Sequence, residues 1–359
     1  MMQSWRSASA LAVLGVCAAV HASHADMMKR YELERAEQGF RLALRTVERP
    51  QPKAGEVLVR IRAVSLNHRD LYMLQGLGRD ALVPLSDGAG EVVALGAGVS
   101  AFKVGERVAT TFFERWDGGP PTQAGISSAR GGDTPGVLAQ FIVSRAEALV
   151  RIPDHLSFEE AATLPCAGLT AWNALFKHGH LQSGQHVLLE GTGGVSIFGL
   201  QFSVAAGAKP MITSSSDEKL GRARSLGAVA TINYRTHNEW QNEVLEATGG
   251  LGVAHVLEIG GKDTLPKALA ALELGGHVAL IGGLTGFGGA LEVGALTQRL
   301  GSMTSLYVGS REDFEQMNAF IAKHRLKPVI DRAFSFEEAP AAFEYLDSGS
   351  QFGKVVIRL

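Results

Sequence analysis

A chain of 359 residues is long enough for two packed cores, and its formal net charge of −2, with no basic tail or patch, excludes a role built on binding nucleic acid. Its 43 glycines and 46% hydrophobic content point to a turn-rich α/β enzyme. The two cysteines, Cys17 and Cys166, give no disulfide framework, because Cys17 falls in an N-terminal leader.

The leader occupies residues 1–25. Trp5-Arg6 precedes an apolar run over 8–20 and then Ser23-His24-Ala25, the layout of a secretory signal peptide. The run is too short for a membrane span. Met27-Met28 offers a competing start, from which Met28-Lys29-Arg30-Tyr31 opens the first strand directly.

The first half then alternates. Residues 56–64 (EVLVRIRAV) place apolar and polar side chains on opposite faces, as a half-buried strand does. Residues 90–95 (GEVVAL), 107–111 (RVATT) and 140–143 (QFIV) continue the pattern, with Gly96, Gly98 and Gly105 at turns. This predicts a compact antiparallel β domain. Residues 112–136 break it with a long polar stretch carrying Trp116, Pro120-Pro121 and Gly131-Gly132, of a size expected to cover a site or to move.

Residues 186–199 (HVLLEGTGGVSIFG) carry the strongest chemical signal. A buried strand, Val187-Leu188-Leu189, runs into Gly191, Gly193 and Gly194, and a helix follows with Ile197, Leu200 and Val204 on one face. Strand, glycine turn and helix make a cradle for a dinucleotide pyrophosphate, because glycine lets the backbone approach and the helix N-terminus presents free N–H groups. The fingerprint departs at Ser196, where a third glycine would ordinarily permit close helix–strand packing. Short apolar strands at 210–213, 228–233, 253–259 and 277–281 alternate with helical stretches around 219–225, 239–247 and 264–274, and 306–310 (LYVGS) reads as a sixth strand. Alternation of this kind predicts a parallel sheet covered on both faces, with ligand beyond the C-terminal strand ends.

The ribose end of the cradle favours NADP(H). An NAD-binding chain carries an acid roughly twenty residues past the first glycine. Here that region reads Thr213-Ser214-Ser215-Ser216, followed by Lys219, Arg222 and Arg224. Hydroxyls and cations suit a 2′-phosphate, which a carboxylate repels. NADP(H) inside the cell favours a cytoplasmic protein starting at Met27 or Met28 over a periplasmic or secreted one.

The chain resembles the medium-chain dehydrogenase/reductase superfamily, in its zinc-free quinone oxidoreductase-like branch. The resemblance rests on residues 63–70 (AVSLNHRD), 87–92 (DGAGEV), 104–108 (VGERV), 164–172 (LPCAGLTAW), the glycine turn and the terminal 353–356 (GKVV). It implies an α/β protein with a doubly wound Rossmann sheet and a GroES-like antiparallel β catalytic domain, the active site lying in the cleft between them. The implied boundaries are 26–169 for the catalytic domain, 170–308 for the NADP-binding domain, and 309–359 for a return to the first.

Zinc members of the superfamily hold catalytic zinc at positions that here are Asn67, Ser86 and Cys166. Only the cysteine suits zinc, so no metal is expected. The resemblance implies Asn67, Tyr72 and Thr170 as catalytic candidates, Tyr72 as a hydroxyl donor to a developing enolate. Gly191, Gly193, Gly194 and Val195 are expected at the pyrophosphate, and Ser214, Ser215, Lys219 and Tyr234 around the 2′-phosphate. Ile281 and Gly282 are expected at the nicotinamide, and Lys354 also among the cofactor-binding residues. Without a Lewis acid, an electron-poor acceptor is the better substrate. The expected activity is reduction of quinones or α,β-unsaturated carbonyls by NADPH, in a homodimer with no membrane partner. The alternatives are an NADP-dependent alcohol or aldehyde dehydrogenase and a non-catalytic NADPH-binding protein.

Overall fold

The computed structural model describes residues 27–288 and 293–359; the leader 1–25, with Cys17, lies outside the described residues. Strands β1 (Met27–Arg35) and β2 (Phe40–Glu48) form an antiparallel hairpin closed at Gly39. Gly39 has φ +65°, and a Cβ there would stand 2.2 Å from the Leu74 carbonyl oxygen, so the turn takes no side chain.

The alternating segments predicted from sequence form strands β3 (Glu56–Ser65), β4 (Asp87–Leu95), β5 (Arg107–Thr110), β6 (Phe141–Arg145) and β7 (Leu149–Arg151). They share a seven-stranded sheet with two strands from the chain end. The 112–136 segment is no open loop. Phe112 and Phe113 are buried, Thr122 caps a short helix over Gln123–Ile126, and buried Arg130 pairs with Glu114 at 2.7 Å and with Ser144 Oγ at 2.6 Å.

The nucleotide half is a six-stranded parallel sheet of β8 (His186–Leu189), β9 (Lys209–Ser214), β10 (Ala230–Asn233), β11 (Val253–Glu258), β12 (Leu272–Leu280) and β13 (Ser302–Ser305). The order is β10-β9-β8-β11-β12-β13, so the winding reverses between β8 and β11 and opens a crevice at their C-terminal ends. Buried Val187, Leu188 and Leu189 explain why this central strand is apolar on both faces.

Two predicted elements are corrected. The stretch 306–310 is not a strand; the sixth strand ends at Ser305, and Val308 takes φ +56°, which no strand accommodates. The helix expected over 264–274 is only Leu265–Ala270, because Leu272 already pairs with Val253 and opens β12. The last strands, β14 (Ile330–Ser335) and β15 (Lys354–Arg358), pair in parallel, and β15 joins β3 antiparallel. The C-terminus thus completes the first domain's sheet. Among the described residues no helix is long and apolar enough to cross a membrane.

Candidate active site between the two sheets

The glycine turn sits at the mouth of the crevice. Gly191 has φ +70°, and Gly193, the residue before helix Gly194–Ala205, has open space where a Cβ would stand. No side chain caps that helix, so its first N–H groups stay available to an anion. Ser196, standing where a glycine was sought, is fully buried and donates to the Glu190 carbonyl at 2.6 Å. The close helix–strand contact falls instead at Gly199, where a Cβ would lie 2.8 Å from Leu189 Cδ2 and 2.9 Å from Leu257 Cδ2. Val195, Ile281 and Gly282 line the same end of the sheet; Ile281 and Gly282 donate backbone bonds to the Glu258 carbonyl.

At the ribose end, Ser214 closes β9 and accepts from the Ser216 N–H at 3.3 Å, and its carbonyl accepts from the Tyr234 N–H at 3.1 Å. Ser214, Ser215 and Tyr234 are therefore neighbours at one strand end. Lys219, expected at the phosphate, directs its ammonium away, to the Gly349 carbonyl at 2.8 Å. Partial burial lowers its pKa.

A buried polar cluster joins the two domains. β15 pairs with β3 and bridges Gly353 to Gly193, which threads Lys354 past the glycine turn; a Cβ on Gly194 would meet Lys354 Cδ at 2.7 Å. Lys354, expected among the cofactor-binding residues, donates its ammonium to Asn67 Oδ1 at 2.6 Å and to the Leu66 carbonyl at 2.5 Å. Because an ammonium only donates, this contact fixes the amide orientation of Asn67 and leaves its buried Nδ2 beside Asp87 without a partner among the described residues. Asp70, three residues on, accepts the Asn67 N–H at 2.7 Å, and burial raises its pKa to about 6. Asp87 accepts from Ser86 Oγ at 2.5 Å and from the Cys166 N–H at 3.1 Å. Burial raises the Asp87 pKa, with Lys354 opposing, and burial lowers that of Lys354.

These residues do not fit zinc. Asn67 and Ser86 are spent on Lys354 and Asp87, and burial pushes the Cys166 thiol far from the thiolate a metal needs. An ammonium already supplies positive charge between them.

Tyr72 is half-buried at the end of helix His68–Tyr72, with its ring 5.0 Å from His68, and Thr170 is buried in helix Leu169–Trp172. Sequence reading missed Glu190 and Glu258, which meet at the C-terminal ends of the adjacent strands β8 and β11, Glu190 immediately after β8 and Glu258 closing β11. Glu190 Oε2 accepts the Ile259 and Gly260 N–H groups at 3.2 Å each, while Glu258 Oε1 accepts from the Gly261 N–H and from Thr264 Oγ1. Glu190 Oε1 has no donor and faces Glu258, so a proton there turns repulsion into a hydrogen bond. Burial first, then Glu258, raises the Glu190 pKa well above the ordinary carboxyl value. A group raised in this way stabilises the fold at low pH and loses that contribution as pH rises through its folded-state pKa. Glu190→Gln keeps the donor at all pH values. We expect its Tm to exceed that of the native protein increasingly from pH 5 to pH 9, by roughly 2–4 °C for each 1 kcal/mol recovered. A difference that does not change with pH would remove the shared proton.

Comparison with known proteins agrees with this two-sheet design. Residues 53–154 match the alcohol dehydrogenase GroES-like domain, and residues 194–323 match the family described as zinc-binding dehydrogenase. A zinc-type alcohol dehydrogenase-like protein of Schizosaccharomyces pombe is 42% identical over 345 residues, covering 93% of this chain and all of that one. The chain belongs to the medium-chain dehydrogenase/reductase superfamily. A solved structure from Sinorhizobium meliloti 1021, assigned as an alcohol dehydrogenase, superposes with a TM-score of 0.88 at 40% identity over 93% of this chain and 99% of that one. A quinone oxidoreductase of Pseudomonas aeruginosa is 32% identical over 88% of this chain and 95% of its own length. This medium-chain reductase/dehydrogenase is thus an oxidoreductase from a family that binds a nicotinamide cofactor, similar both to proteins named for alcohols and to proteins named for quinones.

Proposed function

We propose that this protein reduces quinones or α,β-unsaturated carbonyls with NADPH and without zinc. The observation that carries the reading is Lys354 on Asn67, at the position where a zinc member of the family would hold metal. Gly191, Gly193, Gly194 and Val195 would hold the pyrophosphate, Ser214, Ser215, Tyr234 and a reoriented Lys219 the 2′-phosphate, and Ile281 with Gly282 the nicotinamide. Bound NADPH supplies a hydride. The chain's own work is to hold the acceptor against it, to exclude water, and to meet the charge that forms on the acceptor oxygen. Asn67, oriented by Lys354, offers an amide; Tyr72 and Thr170 carry hydroxyls on the segments leading from Asn67 and Cys166. The β13 edge, unpaired on its outer side among the described residues, is the surface we assign to a homodimer.

Steady-state assays with quinones, enones and alcohols, together with elemental analysis, test the reading. Turnover of electron-poor acceptors with NADPH by protein lacking stoichiometric metal is the expected result. The names of several relatives favour alcohol oxidation as a second reading, which we keep with NADP as its cofactor. Alcohol turnover that tracks bound zinc would establish that reading in place of the first.

A further inference from the structure

The segment after β13 does something the sequence did not suggest. It leaves the nucleotide domain at Ser305 and sends Tyr307 across to the catalytic domain. The Tyr307 ring lies 4.9 Å from Phe113 and 5.8 Å from Phe112, edge-on to both. The Arg69 guanidinium also packs on Phe112, with Cζ 5.0 Å from the ring centre. Two side chains from different domains, separated by more than two hundred residues, thus meet at one aromatic ring.

Both are held for the purpose. Val308 has φ +56°, a strained conformation for a β-branched residue. It is clamped there by Asn173, whose Nδ2 donates to the Val308 carbonyl at 2.6 Å, and the adjacent Gly309 has no room for a Cβ beside the same amide. Arg69 donates to the Arg130 carbonyl at 2.6 Å and, more weakly, to that of Gly131 at 3.4 Å, which ties the 112–136 segment over it. A guanidinium has five N–H donors, so donors remain for a ligand. Tyr307 keeps half its surface exposed. Burial of the remainder raises its pKa, with Arg69 opposing and Asp133 and Cys166 adding to it, so the hydroxyl stays a neutral donor. Arg69 stands two residues after Asn67, in helix His68–Tyr72, so the pair lies beside the Asn67–Lys354 cluster.

We infer that Tyr307 and Arg69 together bind the acceptor oxygen of the substrate, so that the site selects planar conjugated carbonyls whose oxygen gains negative charge on reduction. This rests on the reductase reading above and deepens it. As hydride reaches the electron-poor carbon, the π electrons of the substrate move to its oxygen. There a hydrogen bond from Tyr307 and the charge of Arg69 stabilise the oxyanion until solvent protonates the product. A donor aimed at such an oxygen acts in the transition state more than in the ground state.

The test uses the full chain. Tyr307→Phe keeps the ring contacts and is expected to lower kcat on enones and quinones on the order of 10²-fold, with NADPH affinity and Tm unchanged. Arg69→Lys retains charge but not the fork, and should lose less than Arg69→Gln. A second readout does not depend on turnover. 4-Nitrophenolate, a planar conjugated oxyanion, should bind the native protein with a shifted absorbance band and bind Tyr307→Phe and Arg69→Gln at least tenfold more weakly. Native-like kinetics and native-like nitrophenolate binding in folded Tyr307→Phe overturn the inference, as does a loss confined to Tyr72→Phe. Nitrophenolate binding that needs both residues in a protein that turns over no enone or quinone upholds the oxygen site and removes the reductase reading. Absence of both turnover and binding in the native protein removes both.

Discussion

Lys354→Met is expected to cost about 3–5 kcal/mol of stability, the usual penalty for leaving buried charge uncompensated. The Lys354 side chain is 3% exposed, and its ammonium faces Asp87 and Asp70, both fully buried. Removing it leaves two carboxylates with one less reason to ionise and leaves Asn67 without the donor that orients it. The measurable result is a Tm lowered by roughly 10 °C and a loss of turnover greater than the loss of folded protein. Adding Asp87→Asn removes one orphaned charge. If Lys354 acts through that charge, the double variant should recover part of the stability but little of the activity, because Asn67 remains unheld. Equal stability of the single and double variants would show that the two groups are not coupled.

Ser214→Asp should lower NADPH affinity about 100-fold, or close to 3 kcal/mol, while NADH affinity holds or improves. Ser214 ends the strand whose last residue we propose to face the ribose; its hydroxyl accepts the Ser216 N–H and its carbonyl the Tyr234 N–H. A carboxylate there would repel a 2′-phosphate and accept from a 2′-hydroxyl. Binding followed by energy transfer from protein to nicotinamide fluorescence gives both affinities. Native protein that binds NADH as tightly as NADPH would refute the cofactor preference before any mutation is made.

The pattern of the chain determined a great deal. Local chemistry is written in consecutive residues, and so the glycine turn, the alternating strands around Val59 and the acid-free stretch at Ser214 were legible. The resemblance carried by Asn67, Cys166 and the terminal Gly353-Lys354 extended this to the two-domain plan, which the parallel and antiparallel sheets bear out. Strand 306–310 failed because apolar composition cannot reveal that Asn173 holds Val308 left-handed.

Other features were decided only by the folded chain. Glu190 and Glu258 lie far apart in sequence and meet because β8 and β11 are neighbours at the point where the winding reverses. The sequence marks Lys354 as a site residue but not its partner; β15 pairs with β3 and carries it, buried, to Asn67 across 287 positions. Tyr307 and Arg69 share Phe112 only because two domains close on each other. Periodicity records which way a side chain faces within its own element. It carries nothing about which distant element will face it, and the charges and proton sharing at this site depend on that pairing, since burial and a specific neighbour set them together.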